Sequence, residues 1–247
     1  MTDYGLFAAA GVLAAVLWLY RHRPGLGLTE NEFWAALWLL VAGAVAGAKG
    51  LFVGLGWRHY ASGELRFWAD FGTGFVFFGG LLGALAAALG FARWRGISFR
   101  RGADYFAVAL PLGHALGRLG CHAQGCCAGR PPHPVPLYEA AALLGLVLVL
   151  RAGLGRVESG PWPRGRVFAA YLLLYGALRF ALDPLRADGV PGRLLGATYQ
   201  QSLAAGVMLA GLALLRVWRK AATGVRDGGL ASPRSGTAVQ RPFSAQS

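Results

Sequence analysis

Charge is what this chain has little of. Asp, Glu, Lys and Arg make up 14% of its 247 residues, against about 25% in an average soluble domain. A soluble fold this poor in polar side chains has too little to cover its surface, so water is excluded as the main solvent. Acid is scarcer than base, with 11 Asp and Glu against 24 Lys and Arg and a formal net charge of +13. There is no basic residue before the first apolar block and no small-x-small cleavage site after it. The sequence therefore predicts a retained first span rather than a cleaved signal peptide. No solenoid-type repeat and no transporter-type inverted repeat is evident. Cysteine is limited to three residues, and their C-x4-C-C spacing matches no established zinc pattern.

What is abundant is apolar. The chain is 55% hydrophobic, has 38 glycines and a mean hydropathy of +0.46. The apolar residues fall in long blocks at 4–20, 33–57, 71–92, 103–119, 135–150, 167–182 and 194–217. About 17–25 residues cross a bilayer as a helix. The blocks predict an all-α polytopic membrane bundle of about seven transmembrane helices, with the fourth the weakest. Abundant Gly and Ala suit close helix packing in lipid.

The basic residues set an orientation. With the N-terminus outside, the loops assigned to the cytoplasm carry Arg21 and Arg23, then Arg93, Arg95, Arg100 and Arg101, then Arg151, Arg156, Arg164 and Arg166. The end of the last span adds Arg216, Arg219 and Lys220. The opposite side holds fewer: Arg58, Arg66, Arg118, Arg130, Arg186 and Arg193. The positive-inside rule then gives an outside N-terminus and a cytoplasmic C-terminus. Tryptophans, Trp68 among them, sit mostly at block ends, where indoles prefer the headgroup layer. Charge spaced this way faces anionic lipid and not nucleic acid. Residues 1–220 form the membrane domain, and 221–247, rich in Gly, Ser, Pro, Arg and Gln, read as a disordered tail.

Three stretches carry chemistry. The first runs from Gly117-Arg118-Leu119-Gly120-Cys121-His122 to Gly125-Cys126-Cys127-Ala128-Gly129-Arg130. An Arg within a span costs about 2.5–3.5 kcal/mol on insertion scales and calls for an anion, with lipid phosphate the natural one. The alternative is an Arg that snorkels to the interface. The second, His133-Pro134-Val135-Pro136-Leu137-Tyr138-Glu139, puts a carboxylate at the start of a span. Glu139 is a partner for Arg118, a general base, or a helix N-terminal anion. The third places Tyr175, Arg179 and Asp183 on one helix face, with Arg186 beyond. Lys49 is a lone intramembrane cation, and Gly79-Gly80 is either a site or a packing element. Cys121, Cys126 and Cys127, with His122 among them and His114 upstream, form a thiol or metal cluster, a disulfide with one thiol to spare, or a reactive thiol.

Taken in order, these motifs resemble the prolipoprotein diacylglyceryl transferase family, whose signature has the form G-R-x-G-N-F-x-N-x-E-x-x-G. Gly117, Arg118, Gly120 and Gly129 match it. The resemblance extends to Gly79-Gly80, His133-Pro134, Leu137-Tyr138-Glu139, Tyr175, Arg179, Asp183, Arg186 and Gln201. It implies transfer of the diacylglyceryl group of phosphatidylglycerol to a cysteine thiol of a lipoprotein precursor. A thioether forms and glycerol 1-phosphate leaves. It also implies a multi-pass protein of the bacterial cytoplasmic membrane, with no cofactor and no resident metal. Arg118, Arg179 and Glu139 are the expected catalytic residues. Gly79, Gly80, Gly120, Tyr138, Tyr175, Asp183, Arg186 and Gln201 are the expected substrate contacts. Three positions depart from the family pattern. Phe78 stands where the family carries His, Cys121 replaces the signature Asn, and Cys126 replaces the signature Glu. Two other readings stay open: a family member that binds phospholipid or modifies a different acceptor, and a thiol-redox or metal protein built on the three cysteines.

Overall fold

The chain is described from a computed structural model, which covers residues 3–67, 72, 74–187, 193–194 and 196–227. Trp68 and residues 228–247 of the expected tail lie outside these. Nine α-helices occur among the described residues: α1 (Asp3–Arg21), α2 (Arg23–Leu26), α3 (Glu30–Leu55), α4 (Trp57–Ala61), α5 (Phe77–Trp94), α6 (Phe99–Ala123), α7 (Val135–Glu158), α8 (Arg166–Leu182) and α9 (Tyr199–Asp227). A two-stranded hairpin, β1 (Arg193–Leu194) and β2 (Ala197–Thr198), precedes α9.

Six of the seven long helices are long and apolar enough to cross a membrane. The exception is α6, the fourth block. Its 25 residues include Arg100, Arg101, Asp104 and Arg118, so its apolar residues occupy one face only. That face is the centre of the molecule: Ala107, Val108 and Ala115 are fully buried. They pack with Leu143, Leu150 and Leu154 of α7 and Val167 of α8. The outer faces of the other spans expose Leu82, Leu148, Val149 and Leu209, as a lipid-solvated surface requires. The protein is an all-α polytopic membrane bundle.

Several boundaries shift from the sequence expectation. The third span begins at Phe77 rather than 71. α7 continues past 150 to Glu158, through Arg151 and Arg156. α9 starts at Tyr199 because β1 and β2 occupy the beginning of the last block. It runs to Asp227, past the 221 boundary of the expected tail.

Helix pairing follows side-chain size. α3 and α5 pack chiefly on each other, and meet the rest of the bundle mainly where α5 touches α6. Their seam is made of glycine. A Cβ on Gly79 would collide with the Gly47 carbonyl, and one on Gly83 with that of Gly43. The other helices form a second group in which α1 lies on α6, α6 on α7 and α8, and α8 on α9.

Candidate functional site

The charged residues near the C-terminal end of α6 do not point apart. Glu139, in the first turns of α7, is 1% exposed. Its Oε2 lies 3.1 Å from Arg118 Nε of α6, 3.5 Å from Arg179 Nη1 of α8 and 3.5 Å from Arg186 Nη1 beyond α8. Three guanidiniums from three parts of the chain thus face one carboxylate. His114, one turn before Arg118, places Nε2 3.8 Å from Glu139 Oε1 and accepts from Arg118 Nε at 3.2 Å. Arg179 Nη2 donates to Gln200 Oε1 of α9 at 2.6 Å.

The local sequence explains this convergence. His114 and Arg118 are four residues apart and share a face of α6. Pro134 ends the preceding loop and Pro136 occupies the first turn of α7, where a missing N–H costs nothing. The Asp183–Leu185 3₁₀ turn ends α8 and brings Arg186 back alongside Gly129 in an isolated antiparallel bridge. Arg130 N donates to Leu185 O at 2.8 Å and Ala187 N to Ala128 O at 3.3 Å. The segment carrying Arg186 is thereby tied to the loop that follows α6.

The cluster is unusual in what it leaves open. Both Glu139 oxygens and Arg179 Nη1 are buried with no hydrogen-bond partner among the described residues. The carboxylate is met at ion-pair distance instead, with Arg118 Nε 3.1 Å and Arg179 Nη1 3.5 Å from Oε2. Arg118 and Arg179 alone outnumber the carboxylate in charge, and Arg186 adds a third cation. Glu139 therefore acts as the template that holds the cations together. The arrangement suits an anion with several acceptor oxygens, which guanidinium forks bind bidentately.

Of the expected residues, Arg118, Glu139, Arg179 and Arg186 come together. Tyr175 joins them at the rim, its ring 5.7 Å from His114 and stacked on Tyr171 at 5.6 Å. Asp183 is buried but accepts from Thr198 Oγ1 at 2.7 Å, while Arg179 turns to Glu139 and Gln200. Gln201 does not reach the cluster. Its Oε1 accepts from Thr198 N at 3.2 Å and its N donates to Thr198 Oγ1 at 3.0 Å, the reciprocal pattern of a capping box at the start of α9. Gln200, its neighbour, takes the place expected for it.

Gly79 and Gly80 lie in the α3–α5 seam, and Gly120 packs against Phe7 of α1. Each has a packing role in the structure. Tyr138 is exposed beside His133, their rings 6.2 Å apart. Phe78 is exposed against Phe77. Lys49 is buried amid aromatic rings, its Nζ 5.3 Å from Phe52 and 5.6 Å from Phe75, a cation–π setting away from the arginines. The thiols of Cys121, Cys126 and Cys127 are free and lie within 4.8 Å of one another. His122 is exposed and outside that group.

His114, expected upstream of the cysteine cluster, stands instead with Arg118 and Glu139. Gln200 was not expected at the site; it was masked by the capping role of its neighbour.

A family model described as prolipoprotein diacylglyceryl transferase matches residues 1–217. Curated relatives named phosphatidylglycerol–prolipoprotein diacylglyceryl transferase are similar to this chain over most of its length. That of Geobacter sulfurreducens is 32% identical, covering 78% of this chain and 81% of the relative. That of Bordetella avium is 34% identical, covering 85% and 88%. That of Chromohalobacter salexigens is 32% identical, covering 88% and 87%.

Proposed function

Since this chain belongs to the prolipoprotein diacylglyceryl transferase family, we propose that it moves the diacylglyceryl group of phosphatidylglycerol onto a cysteine thiol of a lipoprotein precursor. The observation that carries the reading is the convergence of Arg118, Arg179 and Arg186 on Glu139. The acceptor sulfur forms a bond to the lipid carbon, and the bond from that carbon to the phosphate oxygen breaks. The electron pair stays with the oxygen and glycerol phosphate departs. The phosphate gains negative charge as this happens. A site richer in cations than anions therefore stabilises the transition state more than the bound lipid, which is what lowers a barrier.

Arg118 and Arg179 are the phosphate-facing catalytic groups in this reading. Glu139 holds them in register, and Arg186, Tyr175 and Gln200 complete the surroundings. The basic-residue asymmetry supports an outside N-terminus and a cytoplasmic C-terminus in the bacterial cytoplasmic membrane, with residues 1–220 as the transferase domain. The site then faces the outer leaflet, where an exported precursor arrives.

The test is release of glycerol phosphate from labelled phosphatidylglycerol on adding a lipobox peptide, together with complementation of a strain depleted of its own transferase. Turnover by wild type and loss in Arg118→Ala and Arg179→Ala are expected. Binding of phosphatidylglycerol with no turnover would instead identify a lipid-binding member of the family. Turnover that survives both substitutions would sink the mechanism.

A further inference from the structure

The mechanism above leaves one proton without a destination. The acceptor thiol must become a thiolate, yet Glu139 is occupied by guanidiniums and His114 Nε2 by Arg118. Beside this site the chain gathers three thiols that no step has used. We propose that Cys121, Cys126 and Cys127 bind a zinc-class divalent ion whose fourth position takes the acceptor thiol as thiolate. The inference rests on the transferase reading for the identity of that thiol.

Geometry carries the metal site. The three sulfur atoms all lie within 4.8 Å of one another. Two sulfurs on one zinc lie about 3.8 Å apart for tetrahedral bonds of about 2.3 Å, so an ion closes the group with small side-chain movements. The backbone is folded to make this group. Cys121 lies in the last turn of α6, and Cys126 N donates to Cys121 O at 3.0 Å. Gly125 and Cys127 both take left-handed conformations, with φ of 69° and 57°. That conformation is unfavourable for a residue with a Cβ, so Cys127 is held there by its surroundings. Cys126 and Cys127 are only partly buried, which leaves the group open to an incoming ligand.

Chemistry narrows the ion and the fourth ligand. Thiolates select soft or borderline metals, and zinc with three protein ligands keeps a fourth position for water or substrate. A thiol that coordinates such an ion is deprotonated outright, and metal coordination is an established route to an activated nucleophile. The step balances simply. The acceptor thiol binds the ion and its proton passes to water. The sulfur then uses its electron pair to form the carbon–sulfur bond as the carbon–oxygen bond to phosphate breaks. Three thiolates on a divalent ion carry a net negative charge, and Arg118 stands one turn earlier on the same helix to meet it. The loop leaving Cys127 is bridged to Arg186 through Gly129. The thiol group and two of the arginines are thus parts of one connected frame.

The experiment uses the full chain, purified without chelators in phosphatidylglycerol-containing nanodiscs, with zinc and cobalt(II) as probes. One metal ion per chain is expected, with sulfur-to-cobalt charge-transfer bands of a tetrahedral site. Cys121→Ser and Cys126→Ser should abolish the bands, while Cys126→His, which keeps a zinc ligand, should restore binding with an altered spectrum. A cysteine-containing lipobox peptide should move the cobalt d–d bands and its serine counterpart should not. Chelation should lower turnover by about a hundredfold, the usual size of lost proton handling, and zinc should restore it.

Three freely titrating thiols with no bound metal overturn the inference, as does a disulfide that opens only with reductant. So does copper(I) bound by all three sulfurs with no response to the peptide. Turnover unchanged by chelation removes the metal and leaves the transferase intact. A cobalt spectrum that responds to the peptide, in a protein that never releases glycerol phosphate, keeps the site and removes the transferase.

Discussion

The two most deeply buried carboxylates among the described residues, Asp104 and Glu139, are treated in opposite ways. Asp104 lies in the second turn of α6 and Glu139 in the second turn of α7; both are essentially inaccessible. Asp104 Oδ2 accepts from Gly165 N at 2.6 Å and Oδ1 from Phe168 N at 2.9 Å. Those are amides at the N-terminus of α8, so an acid of one helix caps another, and a helix N-terminus favours an anion. Glu139 has cations instead of amides, and its oxygens have no hydrogen-bond partner among the described residues. Arg118, which faces Glu139, stands about 21 Å along α6 from Asp104 at the usual helical rise. One end of the helix holds a carboxylate satisfied by backbone amides, and the other faces a carboxylate shared among more cations than it can neutralise.

Glu139→Gln should have the largest effect on this contrast. It leaves guanidiniums buried without their anion, a change that typically costs about 3–5 kcal/mol. Thermal unfolding in detergent should fall sharply, with partial recovery on adding inorganic phosphate or phosphatidylglycerol. No recovery with either would mean that the cluster has no affinity for phosphate. Arg118→Ala should act on rate and not on folding. A fall of about 10²–10³ in glycerol phosphate release is expected, the range for losing one transition-state donor, with an unfolding midpoint close to wild type.

Asp104→Ala should do the reverse. It orphans two amides and should cost about 1–3 kcal/mol of stability, while turnover per folded molecule stays unchanged. A rate defect in well-folded Asp104→Ala would erase the distinction between the two ends. The finest comparison is between neighbours on α9. Gln201→Ala should cost about 1 kcal/mol as a lost cap and spare turnover. Gln200→Ala should leave stability alone and slow turnover severalfold by freeing Arg179. Measuring melting and turnover on the same preparations separates them.

The spans were legible because apolar blocks long enough to cross lipid have few other uses. α6 was the exception because it is sheathed by α1, α7 and α8 rather than by lipid. Its need for an apolar surface is therefore met on one face. The arginine cluster was legible for a related reason: charges inside spans demand partners, and Arg118, Glu139, Arg179 and Arg186 had few choices besides one another. Glycine was ambiguous, since the same residue permits a close ligand and a close helix, and at Gly79 and Gly120 the helix took it. Asp104 drew no attention because a lone acid in an apolar block gives no hint of which distant amides it will meet. The cysteines were close in sequence, but their meeting depends on two left-handed turns that residue type announces only at Gly125.

The seam between α3 and α5 bears on how a two-tailed substrate reaches a buried cluster. Their contacts are chiefly with each other, so few side-chain contacts tie the pair to its neighbours. A phospholipid that reached the arginines past that pair would keep its tails in hydrocarbon, and only its headgroup would trade solvent for guanidinium.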